Sequence, residues 1–347
     1  KYEEPTHTLI AWRGLGTPRS TTLRLDPANR AGFPAAHRIV ETREPRWSED
    51  GNTIFFGIRE WTEKPGRPVA AAGDSANGGA RPVQPEKKEE PAGVEVWHAA
   101  DVDIVPEQKV RANMDRNRNM LTAWHLNGDR VVRLALDLRE DVTLSDGRMA
   151  VVLDGRAYDQ DRMFGPIYRD IAALDISTGE RIPVARRVQH QYGPSMATGR
   201  YVLYVQDGHY WSFDTQTRRA VNLTGSLATS FLNLDNDLTI EEKPPYGTGG
   251  WTTGDRSVLL FDKYDIWDVR LDGSRAVNLT NGAADRVRYR RMWLDPDDRT
   301  VDLSKPFYAS VYGEWTKQFG YARVRPGAAP ERLVMGDRNY TRLGKAR

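Results

Sequence analysis

The sequence contains no cysteine. Disulfide bridges, thiolate metal sites and a cysteine nucleophile are therefore excluded for this chain. It also lacks any run of about 18 apolar residues, the length that a membrane-spanning helix requires. The first residues, KYEEPTHTLI, contain neither an initiator methionine nor the basic-then-apolar pattern of a signal peptide. We therefore expect the chain to be a mature or excised piece of a protein.

Concentrated charge of one sign is also missing. Lysine and arginine together number 50, aspartate and glutamate 48, and the formal net charge is +2. Both signs are interspersed along the chain. Because binding to nucleic acid requires clustered positive charge, a nucleic-acid partner is not expected.

Helical periodicity is scarce, and short apolar strands separated by tight turns are frequent. The predicted strands include residues 52–58, 149–153, 201–205 and 257–261. The predicted turns are the Asp-Gly or Asn-Gly pairs at residues 50–51, 127–128, 146–147, 207–208 and 272–273. This pattern is typical of an all-β protein.

An internal repeat defines the unit. Residues 219–224 read Arg-Ala-Val-Asn-Leu-Thr, and residues 275–280 repeat them letter for letter. Upstream, Trp211 aligns with Trp267 without a gap. The offset of about 56 residues suits a propeller blade that carries one long loop. Residues 47–56 align with Trp251 and the strand after it, as a third copy.

These features predict a β-propeller of four-stranded blades over residues 1–347, with about six to seven blades and incomplete blades at the ends. Residues 63–93, rich in Pro, Gly, Ala and charge, are interpreted as a flexible low-complexity insertion within one blade. Open blade edges predict pairing with another chain, and hence a homo-oligomer. The equivalent tryptophans are predicted to lie in the core between blades rather than on a sugar-binding surface; they are Trp47, Trp211, Trp251 and Trp267.

Several short motifs, taken in their order along the chain, resemble the propeller part of large bacterial S9-type serine peptidases, the prolyl oligopeptidase family. In that family, too, a charged low-complexity insertion precedes a Val-x-Val-Trp-His strand. The motifs are residues 94–98, 108–113 with 115–118, 123–126, 246–247, 250–251 and 264–267 with 278–280.

The resemblance implies WD40-like propeller repeats followed by an α/β-hydrolase domain with a Ser-Asp-His triad, in which the propeller restricts access to short peptides. It also implies a periplasmic or extracellular location. This chain lacks the Gly-x-Ser-x-Gly nucleophile motif, since residues 73–77 and 193–197 both lack the final glycine. We therefore expect a non-catalytic propeller without the hydrolase domain, with no catalytic residue and no cofactor.

Two alternatives stay open. In the first, the chain is a stand-alone scaffold that resembles the periplasmic TolB propeller and binds protein partners. Less favoured is a propeller glycosidase or lactonase, which needs carboxylates or metal ligands that converge on one point.

Paired glutamates supply the only candidate substrate contacts. Some dipeptidyl-peptidase propellers use such a pair to hold a free amino terminus, and Glu241 with Glu242 is the pair here. The remaining polar candidates are interpreted as structural. These are the six histidines, the acidic runs at residues 235–242 and 295–298, and the two Asn-Leu-Thr sequons.

Overall fold

The computed structural model describes residues 5, 7–30, 32–62, 98, 101–163, 165–189, 193–239, 242–295, 297–338, 340 and 343–344. The insertion predicted over residues 63–93 and the strand predicted over residues 94–97 lie outside the described residues. The chain divides into two compact units, Lys1–Val131 and Val132–Arg347. Within the described part of the chain, no helix has both the length and the apolar character needed to cross a membrane.

The described residues of the first unit form a two-stranded hairpin, a larger antiparallel sheet and one α-helix. Its elements in chain order are β1 (Leu9–Arg13), β2 (Thr21–Leu25), β3 (His37–Ile39), β4 (Arg46–Trp47), β5 (Thr53–Glu60), α1 (Val105–Asn117), β6 (Met120–His125) and β7 (Arg130–Arg133), the last of which runs into the second unit. Strand β1 pairs with β2, and the larger sheet has the order β3-β5-β6-β7 with β4 also paired to β5. Because β5 and β6 are direct neighbours, residues 61–119 connect two paired strands of one sheet.

Helix α1 was not predicted from the sequence. None of its described residues is buried, so it lacks the apolar stripe that periodicity detects. Its sequence nevertheless carries a start signal, because Pro106 is the second residue after the N-cap Ile104 and Glu107 lies in the first turn.

The second unit consists of successive antiparallel sheets. Its strands in chain order are β8 (Glu140–Leu144), β9 (Met149–Asp154), β10 (Tyr168–Asp175), β11 (Arg181–Gln189), β12 (Tyr201–Gln206), β13 (His209–Asp214), β14 (Arg219–Asn222), β15 (Thr248–Trp251), β16 (Ser257–Phe261), β17 (Ile266–Arg270), β18 (Ala276–Asn278), β19 (Val287–Arg291), β20 (Phe307–Gly313), β21 (Phe319–Val324) and β22 (Glu331–Gly336).

Each sheet takes consecutive strands in chain order: β8 to β11, β12 to β14, β15 to β18, and β19 to β22. In the second of these sheets, Ser195 forms a β-bridge to Leu203 at the position that a first strand occupies in the others. A four-stranded antiparallel meander is the blade of a β-propeller. The fold class predicted from the sequence, an all-β propeller of four-stranded blades, is confirmed.

Strand β12 contributes to two apolar clusters at once. Tyr201, Leu203 and Val205 pack into a cluster with β16 and β17, whereas Val202 and Tyr204 pack with β9 and β10. Strand β16 behaves in the same way, with alternate residues in clusters shared with the preceding and the following sheet. Because both faces of these strands are covered, their sequences are continuous apolar runs and do not alternate between apolar and polar residues.

The internal repeat corresponds to equivalent structure. Trp211 pairs with Asn222 and Trp267 pairs with Asn278, at matching positions of the two sheets. The third copy also matches, since Trp47 pairs with Ile54. Trp47 is 49% exposed, so its prediction as a core residue is wrong for this chain.

In each Asn-Leu-Thr segment, the asparagine side chain forms a turn at the end of the outer strand. The Oδ1 of Asn222 accepts hydrogen bonds from the backbone N–H groups of Thr224 and Gly225. The Oδ1 of Asn278 accepts in the same way from Thr280 and Asn281. These turns explain why the repeat contains asparagine, as is common where a side chain substitutes for a backbone acceptor.

Candidate functional site

The predicted glutamate pair is only partly described. Glu241 lies outside the described residues. The Oε1 of Glu242 accepts a hydrogen bond of 2.8 Å from the backbone N–H of Gly208, at the turn between β12 and β13. Glu242 therefore has a structural contact, and its role in holding a substrate amine stays a prediction.

Three of the described histidines, His37, His125 and His209, lie in separate strands and contact backbone or hydroxyl groups. His125 Nδ1 lies 3.0 Å from Thr53 Oγ1, and His37 Nδ1 lies 2.6 Å from the carbonyl oxygen of Ala35. His190 lies outside the described residues. Within the described ranges, no three or more His, Asp or Glu side chains are grouped so that they could hold a metal ion.

A cleft of about 420 Å³ in the second unit brings together three cationic side chains and one carboxylate. We call it the cationic cleft. It is lined by Asn233, Asp235, Pro245, Tyr246, Lys263, Arg288 and Arg290. The first four come from the segment between β14 and β15, Lys263 from the turn between β16 and β17, and the two arginines from β19.

Backbone hydrogen bonds position the β14–β15 segment. The N–H of Asn233 donates to Pro244 O at 2.7 Å, and the N–H of Tyr246 donates to Phe231 O at 2.9 Å. Phe231 is fully buried and anchors the segment in the apolar cluster shared by β12 and β16. One wall of the cleft is thus fixed by hydrogen bonds and by an aromatic anchor.

Strand alternation positions the arginines. Val287 and Tyr289 are buried in the apolar cluster of the last two sheets, so Arg288 and Arg290 lie on the opposite face of β19. The guanidinium carbon of Arg288 lies 5.5 Å from the ring centroid of Tyr312. Arg288 remains exposed to solvent.

Arg290 is more enclosed. Its guanidinium lies 4.9 Å from the ring centroid of Phe261 and 5.4 Å from that of Tyr246. It donates hydrogen bonds to the backbone carbonyl oxygens of residues 289, 262 and 263. Burial, and secondly the positive charge of Arg288, lower the pKa of Arg290 to about 10.

Lys263 is held by two carboxylates. Its Nζ lies 2.7 Å from Asp235 Oδ2 and 3.1 Å from Glu314 Oε1. Hydrogen bonds to these two groups raise the pKa of Lys263. Tyr264 also donates its hydroxyl to Glu314 at 2.5 Å. Asp235, part of an acidic run in the sequence, is therefore the partner of a lysine at the mouth of the cleft.

A second cleft, of about 670 Å³, lies between β18 and the β21–β22 hairpin. Its charged lining residues pair with each other, because Arg332 Nη2 lies 2.7 Å from Asp285 Oδ2. The rest of its lining is mostly small or apolar, at residues 277–281 and 327–330. It offers a ligand less uncompensated charge than the cationic cleft does.

Sequence reasoning missed the cationic cleft. The alternation of Arg288 and Arg290 with buried residues was present as a signal, since period-two polarity indicates one shared strand face. Lys263 and Asn233 come from turns far away in sequence, and no local pattern connects them to β19.

No protein-family model and no curated protein sequence matches the chain. Solved structures that are similar to it include peptidases and a propeller domain of a protease. An acylaminoacyl peptidase from Pyrococcus horikoshii is 9% identical with a TM-score of 0.37, over 94% of this chain and 43% of the peptidase. The β-propeller domain of the Trilobed protease from Pyrococcus furiosus is 10% identical with a TM-score of 0.35, over 99% of this chain and 98% of that domain.

An oligogalacturonate lyase in complex with manganese is also similar, at 11% identity and a TM-score of 0.34, over 63% of this chain and 59% of the lyase. This chain thus spans less than half of the peptidase and less than two thirds of the lyase. A shared fold does not by itself imply a shared function.

Proposed function

We propose that this chain is the non-catalytic β-propeller portion of an S9-type serine peptidase and that it restricts access of short peptides to a hydrolase domain outside the chain. The order of the sequence motifs, together with their positions in blade-type sheets, carries the proposal. Gly250-Trp251 ends β15, residues 264–267 lead into β17, and residues 278–280 begin at the last residue of β18. Three motifs of the resemblance therefore fall at defined positions of one blade.

The proposed role is steric selection. Sheets that share apolar clusters on both faces form a rigid wall, because close-packed interiors resist deformation. A rigid wall admits a short extended peptide and excludes a folded protein, so selectivity arises from exclusion. We further propose that the peptidase acts in the periplasm or outside the cell.

The coding sequence downstream of Arg347 provides the first test. We expect it to encode a Gly-x-Ser-x-Gly segment between a strand and a helix, as an α/β-hydrolase requires. A stop codon directly after Arg347 would contradict the proposal and would favour a stand-alone TolB-like scaffold.

Reactivity provides a second test. The chain of 347 residues should not be labelled by a serine-directed fluorophosphonate, whereas the longer protein should be. Ser195→Ala is the matched control, because residue 195 lies in the segment that most resembles a nucleophile motif within the described residues and its N–H donates to Leu203 O at 2.9 Å. Labelling of the short chain that Ser195→Ala abolishes would contradict a non-catalytic role.

Access itself is measured with the longer protein. A chromogenic peptide should be cleaved when free and resist cleavage when the same sequence is displayed in a loop of a folded protein. Equal cleavage of the two substrates would reject steric selection.

A further inference from the structure

The charge in the cationic cleft is not balanced. Three cationic side chains and one carboxylate line it. Lys263 is paired with Asp235 and Glu314, but neither arginine has a carboxylate within salt-bridge distance among the described residues. Positive charge that is partly withdrawn from water and not paired favours binding of an anion.

The arginines also retain hydrogen-bonding capacity. The side chain of Arg290 donates to three backbone carbonyl oxygens, fewer than the five N–H groups of a guanidinium. The exposed Arg288 has an aromatic ring as its contact partner, and a ring face does not occupy the planar donor edge of the guanidinium. That edge matches a carboxylate in a bidentate arrangement.

We propose that the cationic cleft binds a carboxylate group of a peptide, with Arg288 as the principal contact and Lys263 as the second. The C-terminal carboxylate and an acidic side chain share this chemistry. A cleft of about 420 Å³ accommodates one end or one side chain of an extended peptide. The peptide as the bearer of the carboxylate rests on the proposed function, whereas the anion chemistry rests on the cleft alone.

Asp235 acts as an internal competitor in this proposal. Its exposed carboxylate lies 2.7 Å from the Lys263 Nζ and thereby neutralises part of the positive charge of the cleft. Loss of the Asp235 charge should therefore strengthen binding of an external carboxylate, a direction that a purely structural cluster does not predict.

Fluorescence anisotropy of N-terminally labelled alanine pentapeptides, titrated with the full chain at low salt, tests the proposal. Three probes are compared: one with a free C-terminal carboxylate, one with a C-terminal amide, and one amide with a central glutamate. We expect the first or the third probe, or both, to bind at least about 10-fold more tightly than the plain amide, because charged hydrogen bonds contribute about 1.5–3 kcal/mol. The probe that gains affinity identifies the source of the carboxylate.

Variants locate the binding. Arg288→Gln should weaken the favoured probe about 10-fold, and Asp235→Asn should strengthen it about 3-fold. Arg325→Gln is the matched control, because Arg325 is an exposed arginine that immediately follows β21 of the same sheet and does not line the cleft. Circular dichroism confirms that each variant is folded.

Equal affinity for all three probes would overturn the proposal, as would equal losses in Arg288→Gln and Arg325→Gln. Neither result would affect the proposed function, which depends on the downstream coding sequence and on cleavage of short substrates.

Discussion

The two sheets that share the Arg-Ala-Val-Asn-Leu-Thr repeat differ at the residue whose side chain contacts the threonine of the repeat. In the sheet β15 to β18, Asp265 is 1% exposed and accepts a hydrogen bond of 2.7 Å from the hydroxyl of Thr280. In the sheet β12 to β14, the equivalent residue is the half-buried His209, whose Nδ1 lies 3.4 Å from Thr224 Oγ1. The same hexapeptide therefore lies over a buried carboxylate in one sheet and over an imidazole in the other.

The carboxylate extends the network beyond the repeat. Asp265 also accepts from the backbone N–H groups of Gly282 and Ala283, which begin the short 3-10 helix that precedes β19. It thereby links the end of one sheet to the start of the next. The repeated hexapeptide therefore forms the same outer strand in both sheets. The residue that contacts its threonine differs, and Asp265 in addition binds the backbone of the turn that follows.

Asp265→Asn should have the largest effect. The remaining amide oxygen would accept from Thr280 and Gly282 without the carboxylate charge, and the NH2 group would face the backbone N–H of Ala283. We therefore expect the free energy of unfolding to fall by about 3 kcal/mol. Urea unfolding monitored by tryptophan fluorescence measures the loss. His209→Asn is the matched control and should cost less than about 1 kcal/mol. Equal losses at the two positions would contradict the comparison.

The threonines should rank next. Thr280 Oγ1 accepts from the N–H of Ile266 at 3.0 Å and donates to Asp265, whereas Thr224 Oγ1 accepts from the N–H of Tyr210 at 3.0 Å. Substitution by the isosteric valine should therefore cost about 2 kcal/mol at Thr280 and about 1 kcal/mol at Thr224.

The same urea experiment compares the two threonine variants. In the background of Asp265→Ala, the extra loss at Thr280 should disappear, as a double-mutant cycle would reveal. A larger loss at Thr224 than at Thr280 would reverse the proposed ranking.

The turn between β17 and β18 should give the smallest effect. Hydrogen bonds from the hydroxyl and the backbone N–H of Ser274 lower the pKa of Asp272 to about 2. Because the folded pKa lies below the unfolded one, the stabilisation is complete above about pH 4 and is lost as the pH falls towards 2. The equivalent residue in the other sheet is Gln216, which has no titrating side chain.

Asp272→Asn should abolish this contribution. Since Asp272 is partly exposed, the difference should stay below about 1 kcal/mol. Melting temperatures of the parent chain and the variant, measured from pH 5 to pH 2, should diverge at pH 5 and converge at pH 2. Parallel curves over this range would disprove the assignment.

Much of the blade unit could be predicted from the sequence. The repeat aligned Trp211 with Trp267, and Asp207-Gly208 formed the expected turn, with positive φ at both residues. Such signals are local, because a turn or a strand depends on neighbours in sequence. Helix α1 was not predicted because its residues are not buried and its sequence therefore has no apolar stripe.

The cleft was harder to predict for a physical reason. Arg290 is enclosed by Phe261 and Tyr246, which come from two other segments of the chain. Their meeting depends on how consecutive sheets pack, and a pattern within one strand carries no information about that packing. For the same reason, the contact of Glu242 with the backbone N–H of Gly208 could not be predicted from the sequence.

Strands with two apolar faces carry a consequence for alignment. A slip of β12 by one residue would exchange the clusters that receive Leu203 and Tyr204, and apolar side chains would still be buried on both faces. Hydrophobic alternation, which fixes the register of most half-buried strands, therefore cannot do so here. Directional polar contacts must supply the register instead, as in the hydrogen bond of 3.1 Å from Trp211 Nε1 in β13 to Gln206 O in β12. Loss of such an anchor would make the sheet prone to misaligned pairing even though its apolar residues stay buried.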